Sequence, residues 1–307
     1  MELITGENDK GRRLDRILRK ALPDYPLPLI HKYLRLGLVM VNGNRGEAQD
    51  RVDSGAKIEI PSFKTAHYKK NSGEKASHFN SPPDIIWENC GLLAVNKPAG
   101  LAVHGPNSLD VMVRSFLAGK LPQSLSFKPG PLHRLDKPSS GIVIFSASLE
   151  GARLFSSLLQ DRKVKKAYLA IVNGTAENEE IWQDCLVRNS DRRKTYTSCE
   201  AFGKEAVTKI TPLAADGRHS LIRAEIITGR THQIRAQAAA HGYPLLGDVK
   251  YGAASGKKQR TNKNGQKADF FLHAWKMEFL EYSIEAPLPS AFTKALVNLR
   301  LQTELYQ

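Results

Sequence analysis

The feature that most constrains this chain is a change in composition between residues 63 and 83, which divides it into a small and a large unit. The run from Lys69 to Lys75 has few apolar residues, and the segment ends at Ser81-Pro82-Pro83, a pattern that predicts a flexible linker. A chain of 307 residues suits one large domain preceded by a small one. We therefore predict a domain at 1–62, a linker at 63–83 and a second domain at 84–307.

The net charge of the chain indicates which class of molecule it is expected to bind. The formal net charge is +14, and a protein this basic usually binds a polyanion, most often nucleic acid, although the charge could also serve solubility alone. The three cysteines form no Cys-x-x-Cys pair, which disfavours a zinc or redox motif and fits the cytoplasm. The first residues lack a basic start followed by an apolar run, and no stretch approaches the roughly 20 apolar residues that cross a bilayer.

The small unit has the pattern of a compact basic domain. An apolar helical stripe in residues 13–22 leaves most of its basic side chains, among them Arg16, off the buried face. A second helix is predicted from Leu29 to Leu36, with Lys32 and Arg35 on one face. A strand then enters an Asn42-Gly43 hairpin turn, and a further strand closes the unit near residues 57–61. Arg16, Lys32 and Arg35 are our candidate nucleic-acid contacts here.

From about residue 84 onward, short strands alternate with a few helices, which predicts an α+β fold with a mixed, mainly antiparallel sheet. Helices are predicted at 149–160 and 231–240, and residues 253–268 are predicted to form a mobile basic loop. The predicted strands cover residues 85–87, 92–96, 142–145, 166–172 and 221–227.

An acidic residue stands in a loop directly before the most apolar strand. The segment Pro131-Leu132-His133-Arg134-Leu135-Asp136-Lys137-Pro138-Ser139-Ser140-Gly141 precedes the strand at 142–145, and loops at strand ends often carry chemistry. Arg134 and Lys137 would keep Asp136 ionised, as a nucleophile or a base must be. From these residues alone, an aspartate that caps a turn is the favoured interpretation.

A second segment, Thr228-Gly229-Arg230-Thr231-His232-Gln233-Ile234-Arg235, leads from a strand into a helix. Arg230, His232 and Arg235 gather at the positive end of that helix, where a phosphate or a carboxylate would be stabilised. The alternative is a helix capped by Thr231 with solvated charges, and the spacing does not decide between the two.

Two further segments hold candidate residues. Alternation in the strand at 166–172 places Lys166 and Tyr168 on one face, where Tyr168 is either a core ring or a base-stacking ring, with the core favoured. In the sharp turn Asn96-Lys97-Pro98-Ala99-Gly100, Lys97 is a candidate phosphate contact, although this segment alone indicates no more than a turn. The chain has no phosphate-binding loop of the Walker type, no Gly-x-Gly-x-x-Gly after a strand, no Gly-x-Ser-x-Gly and no metal-ligand spacing among its histidines.

Taken together and in order, these segments resemble the RluA-type family of RNA pseudouridine synthases over about residues 84–290. His133 to Gly141 matches the motif His-Arg-Leu-Asp-x-x-Thr-Ser-Gly except that Ser139 replaces threonine. After Arg235 the family often has Val-His, where this chain has Ala236-Gln237. Residues 10–61 resemble the S-four-like RNA-binding module that often precedes this domain. The other matching segments are Lys97–Gly100, Lys166–Gly174, Thr228–Arg235 and Pro244–Gly252.

The resemblance implies roles that the local pattern does not. It makes Asp136 the catalytic aspartate, places Tyr168 against the target base, and pairs Asp136 with Arg235 or, alternatively, Arg230. Arg134 is expected to fill the space that a flipped base leaves, and Lys97, Lys166, Arg230 and His232 are expected to contact RNA. Asp136 either attacks C1′ or removes a proton from C2′.

The resemblance also implies partners. We expect a monomeric cytoplasmic isomerase that acts on RNA without a metal, a redox cofactor or a membrane. Its two-domain layout resembles the family's large-subunit ribosomal RNA enzymes, and transfer RNA is the alternative substrate. A non-catalytic RNA-binding or ribosome-assembly protein is the competing class, and a DNA-acting or nucleotide-hydrolysing enzyme is a weaker one.

Overall fold

The computed structural model describes residues 1–62, 81–189, 194–197, 203–252 and 270–303. Most of the predicted linker and the whole predicted basic loop lie outside these ranges, so both stay predictions. Within them, the helices are too short or too polar to span a bilayer.

Residues 1–62 form two small sheets and two helices around their own core. One antiparallel sheet has its strands in the order 2–4, 57–59, 40–41 and 44–45, and residues 12–13 pair with 51–52 in the other. Leu14, Ile17, Leu18 and Leu22 are buried, as the stripe predicted. The second helix begins earlier than predicted, at Leu27, because Pro28 stands in its first turn, where a missing N–H costs nothing. The elements are β1 (Glu2–Ile4), a 3-10 turn (Glu7–Asp9), β2 (Arg12–Arg13), α1 (Leu14–Ala21), α2 (Leu27–Arg35), β3 (Met40–Val41), β4 (Asn44–Arg45), β5 (Arg51–Val52) and β6 (Lys57–Glu59).

A buried carboxylate joins this unit to the rest of the chain. One oxygen of Asp9 accepts hydrogen bonds from the hydroxyls of Ser124 (2.7 Å) and Ser126 (2.5 Å), and the backbone N–H of Leu125 donates to the other at 2.8 Å. Asn8 adds a second link, because its side-chain oxygen accepts from the backbone N–H of Leu149 at 2.8 Å. The small unit is therefore held against the large one in a defined orientation.

Replacing Asp9 with asparagine should loosen this attachment. Burial alone would raise the pKa of Asp9, but hydrogen bonds from Ser126, Gly6 and Leu125 outweigh it and lower the pKa. The stability that ionised Asp9 contributes is therefore fully present above the pKa that Asp9 has in the unfolded chain. It is lost as pH falls through the lower pKa of Asp9 in the folded protein. We expect Asp9→Asn to cost about 3 kcal/mol near neutral pH, with a smaller difference in acid, measured by urea unfolding. Equal stability of the two proteins at neutral pH would contradict this role.

The large unit has the predicted α+β architecture, with one mixed, mainly antiparallel sheet. The helix Leu149–Gln160 has the predicted bounds, and Ser148 caps it by accepting from the backbone N–H of Gly151. The elements are β7 (Ile85–Asn89), β8 (Leu92–Lys97), α3 (Leu109–Leu117), β9 (Gly130–Pro131), β10 (Ser140–Ser146), α4 (Leu149–Gln160), β11 (Lys165–Asn173), β12 (Glu180–Asn189), β13 (Lys194–Thr197), β14 (Lys204–Ala215), β15 (His219–Ile226), α5 (Gln233–Ala240), β16 (Leu272–Phe279), β17 (Tyr282–Glu285) and α6 (Ser290–Asn298).

The strand order in this sheet is β13-β12-β14-β15-β11-β16-β10-β8-β7, with β9 beside β10 and β17 beside β16. Strands β10 and β16 run parallel, and the other described pairs are antiparallel. Every residue of β10 is buried, because Val143 and Phe145 face a core with α3 and α5 while Ile142 and Ile144 face the core under α4. The same alternation in β11 directs Tyr168 towards α5, and Leu169 towards α6. The central strands are thus covered by helices on both faces of the sheet.

Candidate active site

Asp136 lies in the loop between β9 and β10, and buried groups fix that loop. The carbonyl of Lys137 accepts from the backbone N–H of Gly100 at 2.9 Å and from the Lys97 ammonium at 3.2 Å. Lys97 is fully buried and also donates to the carbonyls of Pro98 and Leu101. The prediction that Lys97 contacts RNA is therefore wrong, because its ammonium supports the turn beside Asp136 instead.

Two more residues of the motif are structural. His133 faces away from Asp136, stacks on Phe155, and accepts the backbone N–H of Ile144 through Nε2 at 3.0 Å. Burial, with a contribution from Lys166, lowers the pKa of His133 to about 3, so the ring stays neutral and keeps this acceptor. Gly141 has a φ of +104°, and a Cβ there would collide with the carbonyl of Ala274 on the parallel neighbour β16. The motif's glycine is therefore required by the sheet that ends the loop.

Arg235, in the first turn of α5, supplies the cation beside Asp136. Its Nη1 donates to Asp136 Oδ2 at 2.7 Å, across a sequence separation of 99 residues. Its Nε and Nη2 donate to the two carboxylate oxygens of Asp248 at 2.7 and 3.0 Å. Burial would lower the pKa of Arg235, but the pairs with Asp248 and Asp136 more than offset this and raise it. Arg235 is thus fixed by a bidentate contact with Asp248, and it places a permanent positive charge beside Asp136.

His232 approaches Asp136 from the other side. Its Nε2 lies 3.5 Å from Asp136 Oδ1, and its Nδ1 lies 2.8 Å from the hydroxyl of Tyr251. His232, in a left-handed conformation with a φ of 56°, is the N-cap residue of α5, so the alternative of a Thr231 cap is wrong. Burial outweighs the attraction of Asp136 and lowers the pKa of His232, which keeps the ring neutral at physiological pH.

Tyr168 belongs to the core and to the site at once. The residue is buried in the cluster with α5, and its side chain lines the same cavity as Asp136. Burial, and then the charge of Asp136, raises the pKa of Tyr168 well above its ordinary value, so the hydroxyl remains protonated. The two interpretations of Tyr168, core ring or base-facing ring, are therefore compatible.

Asp136 opens into a cavity of about 80 Å³ between the motif loop, β11, the end of β15 and the start of α5. The Asp136 side chain keeps 18 % of its surface exposed, whereas Arg235 keeps 8 % and Asp248 only 1 %. A ligand in the cavity can therefore reach the aspartate, while the groups behind it are shielded. The cavity is lined by Arg134, Leu135, Asp136, Ser139, Tyr168, Ile226, Arg230, His232, Gln233, Ile234, Arg235 and Leu272.

Two exposed arginines line this cavity without touching Asp136. Arg134 is exposed beside the aspartate and has no described contact with its carboxylate. Arg230 is also exposed, and its Nε donates to the carbonyl of Glu205 at 2.9 Å. Of the two arginines that the sequence offered as the partner of Asp136, the structure thus selects Arg235.

The remaining predicted residues lie elsewhere. Alternation predicted that Lys166 and Tyr168 share a face, but the register of β11 against β16 shifts between Ala167 and Tyr168, and Lys166 lines a different cavity. Arg16, Lys32 and Arg35 are exposed on α1 and α2 of the small unit. They are accessible to RNA, and their contact with it stays a prediction.

Sequence reasoning missed the parts played by Asp248 and Tyr251. Both belong to the segment Pro244–Gly252, which was recognised only as a matching motif. Asp248 anchors Arg235, and the Tyr251 ring lies 4.9 Å from its guanidinium carbon while the hydroxyl meets His232. Both residues act on Asp136 through a neighbour, Asp248 through Arg235 and Tyr251 through Arg235 and His232. The aspartate and the tyrosine of the matching motif are the only sign of these roles in the sequence.

The Ala236-Gln237 departure also has a structural reason. Gln237 is fully buried on the side of α5 away from Asp136, and its amide donates to the carbonyls of Trp182 and Ala206 and to Asp184. Its oxygen accepts the hydroxyl of Thr208 at 2.7 Å. Glutamine therefore joins α5 to β12 and β14 and takes no part in the cavity.

Known proteins resemble this chain in sequence and in fold. A family described as RNA pseudouridylate synthase matches residues 91–240. The ribosomal large subunit pseudouridine synthase D of Neisseria meningitidis serogroup A is 32 % identical over 96 % of this chain and 80 % of that protein. The ribosomal large subunit pseudouridine synthase C of Escherichia coli K12 is 29 % identical over 95 % of this chain and 94 % of that protein.

A solved structure agrees in fold. The human RNA pseudouridylate synthase domain containing 4 superposes with a TM-score of 0.60 at 23 % identity, covering 71 % of this chain and 94 % of that one. A sequence identity of this size supports the architecture alone, whereas the relatives above extend over both units of the chain. From these matches and the motif segments, we conclude that the chain belongs to the RNA pseudouridylate synthase family and is an isomerase of RNA uridines.

Proposed function

We propose that this protein converts uridine to pseudouridine in large-subunit ribosomal RNA, with Asp136 as its catalytic residue. The observation that carries the catalytic part is the ion pair of Asp136 with Arg235, beside Tyr168 in one cavity. The relatives named for the ribosomal large subunit support the substrate, since they match over 95 % or more of this chain.

The reaction requires the target base to leave its stack. The N1–C1′ bond breaks, the uracil turns, a C5–C1′ bond forms, and the proton from C5 is lost while N1 gains one. Extrusion of a base costs a few kcal/mol, which phosphate contacts on a basic protein can offset. We assign Arg134 to filling the gap in the RNA stack, which its exposure beside Asp136 supports.

Asp136 performs the first step in either of two ways. As a nucleophile, its free oxygen attacks C1′ while the electron pair of the N1–C1′ bond leaves with uracil. As a base, it removes the C2′ proton so that uracil departs with the same pair. Both routes need a carboxylate in a fixed position, and the contacts of Asp136 with Arg235 and His232 support that position.

Tyr168 contributes a neutral ring and hydroxyl. Because its raised pKa keeps the phenol protonated, proton abstraction by a phenolate is disfavoured. We assign Tyr168 to packing against the uracil ring and to donating a hydrogen bond while the base turns.

The exposed cations of the small unit should strengthen RNA binding. We expect the triple variant Arg16→Gln, Lys32→Gln, Arg35→Gln to lower the dependence of log affinity on log salt by about two units. Lys57→Gln is the matched control, because Lys57 lies in the same unit but pairs with Glu2 and Glu59. Affinity measured from low to moderate salt gives the two slopes. An unchanged slope for the triple variant would remove these residues from recognition.

Unmodified transcripts test the substrate. Large-subunit ribosomal RNA and a pool of transfer RNAs, both transcribed with uridine tritiated at C5, are incubated separately with the protein. Pseudouridine formation releases that tritium, and we expect release from ribosomal RNA. Release from transfer RNA alone would overturn the proposed substrate and keep the chemistry, and release from neither, with binding to both, would favour a non-catalytic role.

A further inference from the structure

A second cavity lies just beyond the catalytic one. It has a volume of about 410 Å³ and is formed by the beginning of β11, the end of β15 and the second half of β16. Ile226 lines both cavities, and Lys166 precedes Tyr168 by two residues on β11. The two cavities are therefore neighbours across one rim of the sheet.

The lining of the second cavity is strongly cationic. Both carboxylates of the lining, Glu225 and Glu278, form ion pairs with cations of the same lining. Two more, Glu179 and Glu285, lie outside the lining and pair with Lys209 and Lys276. Six cations against four carboxylates leave a surplus of two positive charges. The cations are Arg162, Lys165, Lys166, Lys209, Arg223 and Lys276.

The two surplus positive charges belong to the side chains of Arg162 and Lys166. Within the part of the chain that the structure describes, neither side chain has a hydrogen bond or an ion pair with a carboxylate. Arg162 is exposed at the turn after α4, whereas Lys166 is half-buried. Burial lowers the pKa of Lys166 to about 8, and a bound anion would stabilise its charged form.

We propose that this second cavity binds a phosphodiester of the RNA strand next to the target uridine, with Lys166 and Arg162 as its main contacts. The proposal rests on the proposed function, since it assigns the site to the same RNA. A strand that places one base beside Tyr168 can cross the rim at Ile226 and put a neighbouring phosphate against Lys166. The half-exposed ring of Trp275 lines the same cavity, and an aromatic ring among cations suits single-stranded RNA.

Neutralising one phosphate at a time tests this assignment. A short RNA that the wild-type protein converts is made with a single methylphosphonate, first on the 5′ and then on the 3′ side of the target uridine. We expect one of these RNAs to bind wild-type protein about tenfold more weakly, and Lys166→Met to weaken binding of the unmodified RNA by a similar factor. Lys166→Met should then bind the sensitive methylphosphonate RNA no more weakly, because the same contact is already lost.

Three further variants make the result decisive. Lys166→Arg should restore affinity, and Arg162→Asn, which suits the positive φ of 56° at that exposed position, should weaken binding even if Lys166→Met fails to fold. Lys163→Met is the control, because Lys163 is exposed near Arg162 but outside the cavity lining. Additive losses for protein and RNA changes, or no loss in Lys166→Met and Arg162→Asn, would overturn the proposal. Conversion by wild-type protein in the same samples reports on the proposed function separately.

Discussion

Asp136→Asn is expected to abolish pseudouridine formation while leaving RNA affinity within about twofold. Asparagine has nearly the shape of aspartate but can neither attack C1′ nor accept the C2′ proton, so the rate should fall by about 10⁴-fold or more. Affinity should persist because phosphate contacts from the basic surface carry most of it. Tritium release under single-turnover conditions gives the rate, and a filter-binding titration gives the affinity.

The matched control for this variant is Asp110→Asn. Asp110 is also paired with an arginine, Arg114 at 3.0 Å, but it lies on α3 outside the catalytic cavity. That variant should retain activity. Full turnover by Asp136→Asn would remove the aspartate from the chemistry, and loss of RNA binding would point to a structural role instead.

Asp248→Asn should give the second largest effect, although Asp248 does not line the cavity. Asparagine can accept from Arg235 through one oxygen only, so the guanidinium loses half of its buried anchor and Asp136 loses its fixed position. A displacement of about 1 Å can cost about 10²-fold in rate, and breaking one side of a buried ion pair costs about 3 kcal/mol in stability. We expect a lower kcat with little change in KM.

Asp184→Asn tests whether Asp248 acts by positioning Asp136 or only by stabilising the fold. Asp184 also holds α5, but through Gln237 and His241 rather than through Arg235. We expect it to lower stability while kcat changes much less than in Asp248→Asn. Parallel urea unfolding and kinetic measurements on both variants make the comparison. If kcat falls equally in both at equal loss of stability, Asp248 is only a structural residue.

The elements that the sequence predicted well are those with local signals. The bounds of α4 follow from a helical apolar pattern, and β10 follows from four consecutive apolar residues. The sequence pattern predicts the start of α2 two residues late, because Pro26 and Pro28 resemble a single break although the second proline fits a first helical turn. Local chemistry thus predicts where an element exists more firmly than where it begins.

The candidate site depended on contacts that no local pattern contains. On its own residues Asp136 was best explained as a turn cap, and only the family resemblance joined it to Arg235, 99 residues away. Lys97 was misassigned because the carbonyls that bury its ammonium come from two different loops. The shift in register after Ala167 likewise depends on the partner strand β16, so alternation within β11 could not predict where Lys166 points.

Mapping of pseudouridines in total RNA tests the central claim most directly. Cells that lack the protein are supplied with the wild-type chain or with Asp136→Asn at equal abundance, and pseudouridines are located at single-nucleotide resolution. We expect at least one uridine of large-subunit ribosomal RNA to be converted only with the wild-type chain. Identical maps for the two proteins, in every class of RNA, would contradict catalysis by Asp136.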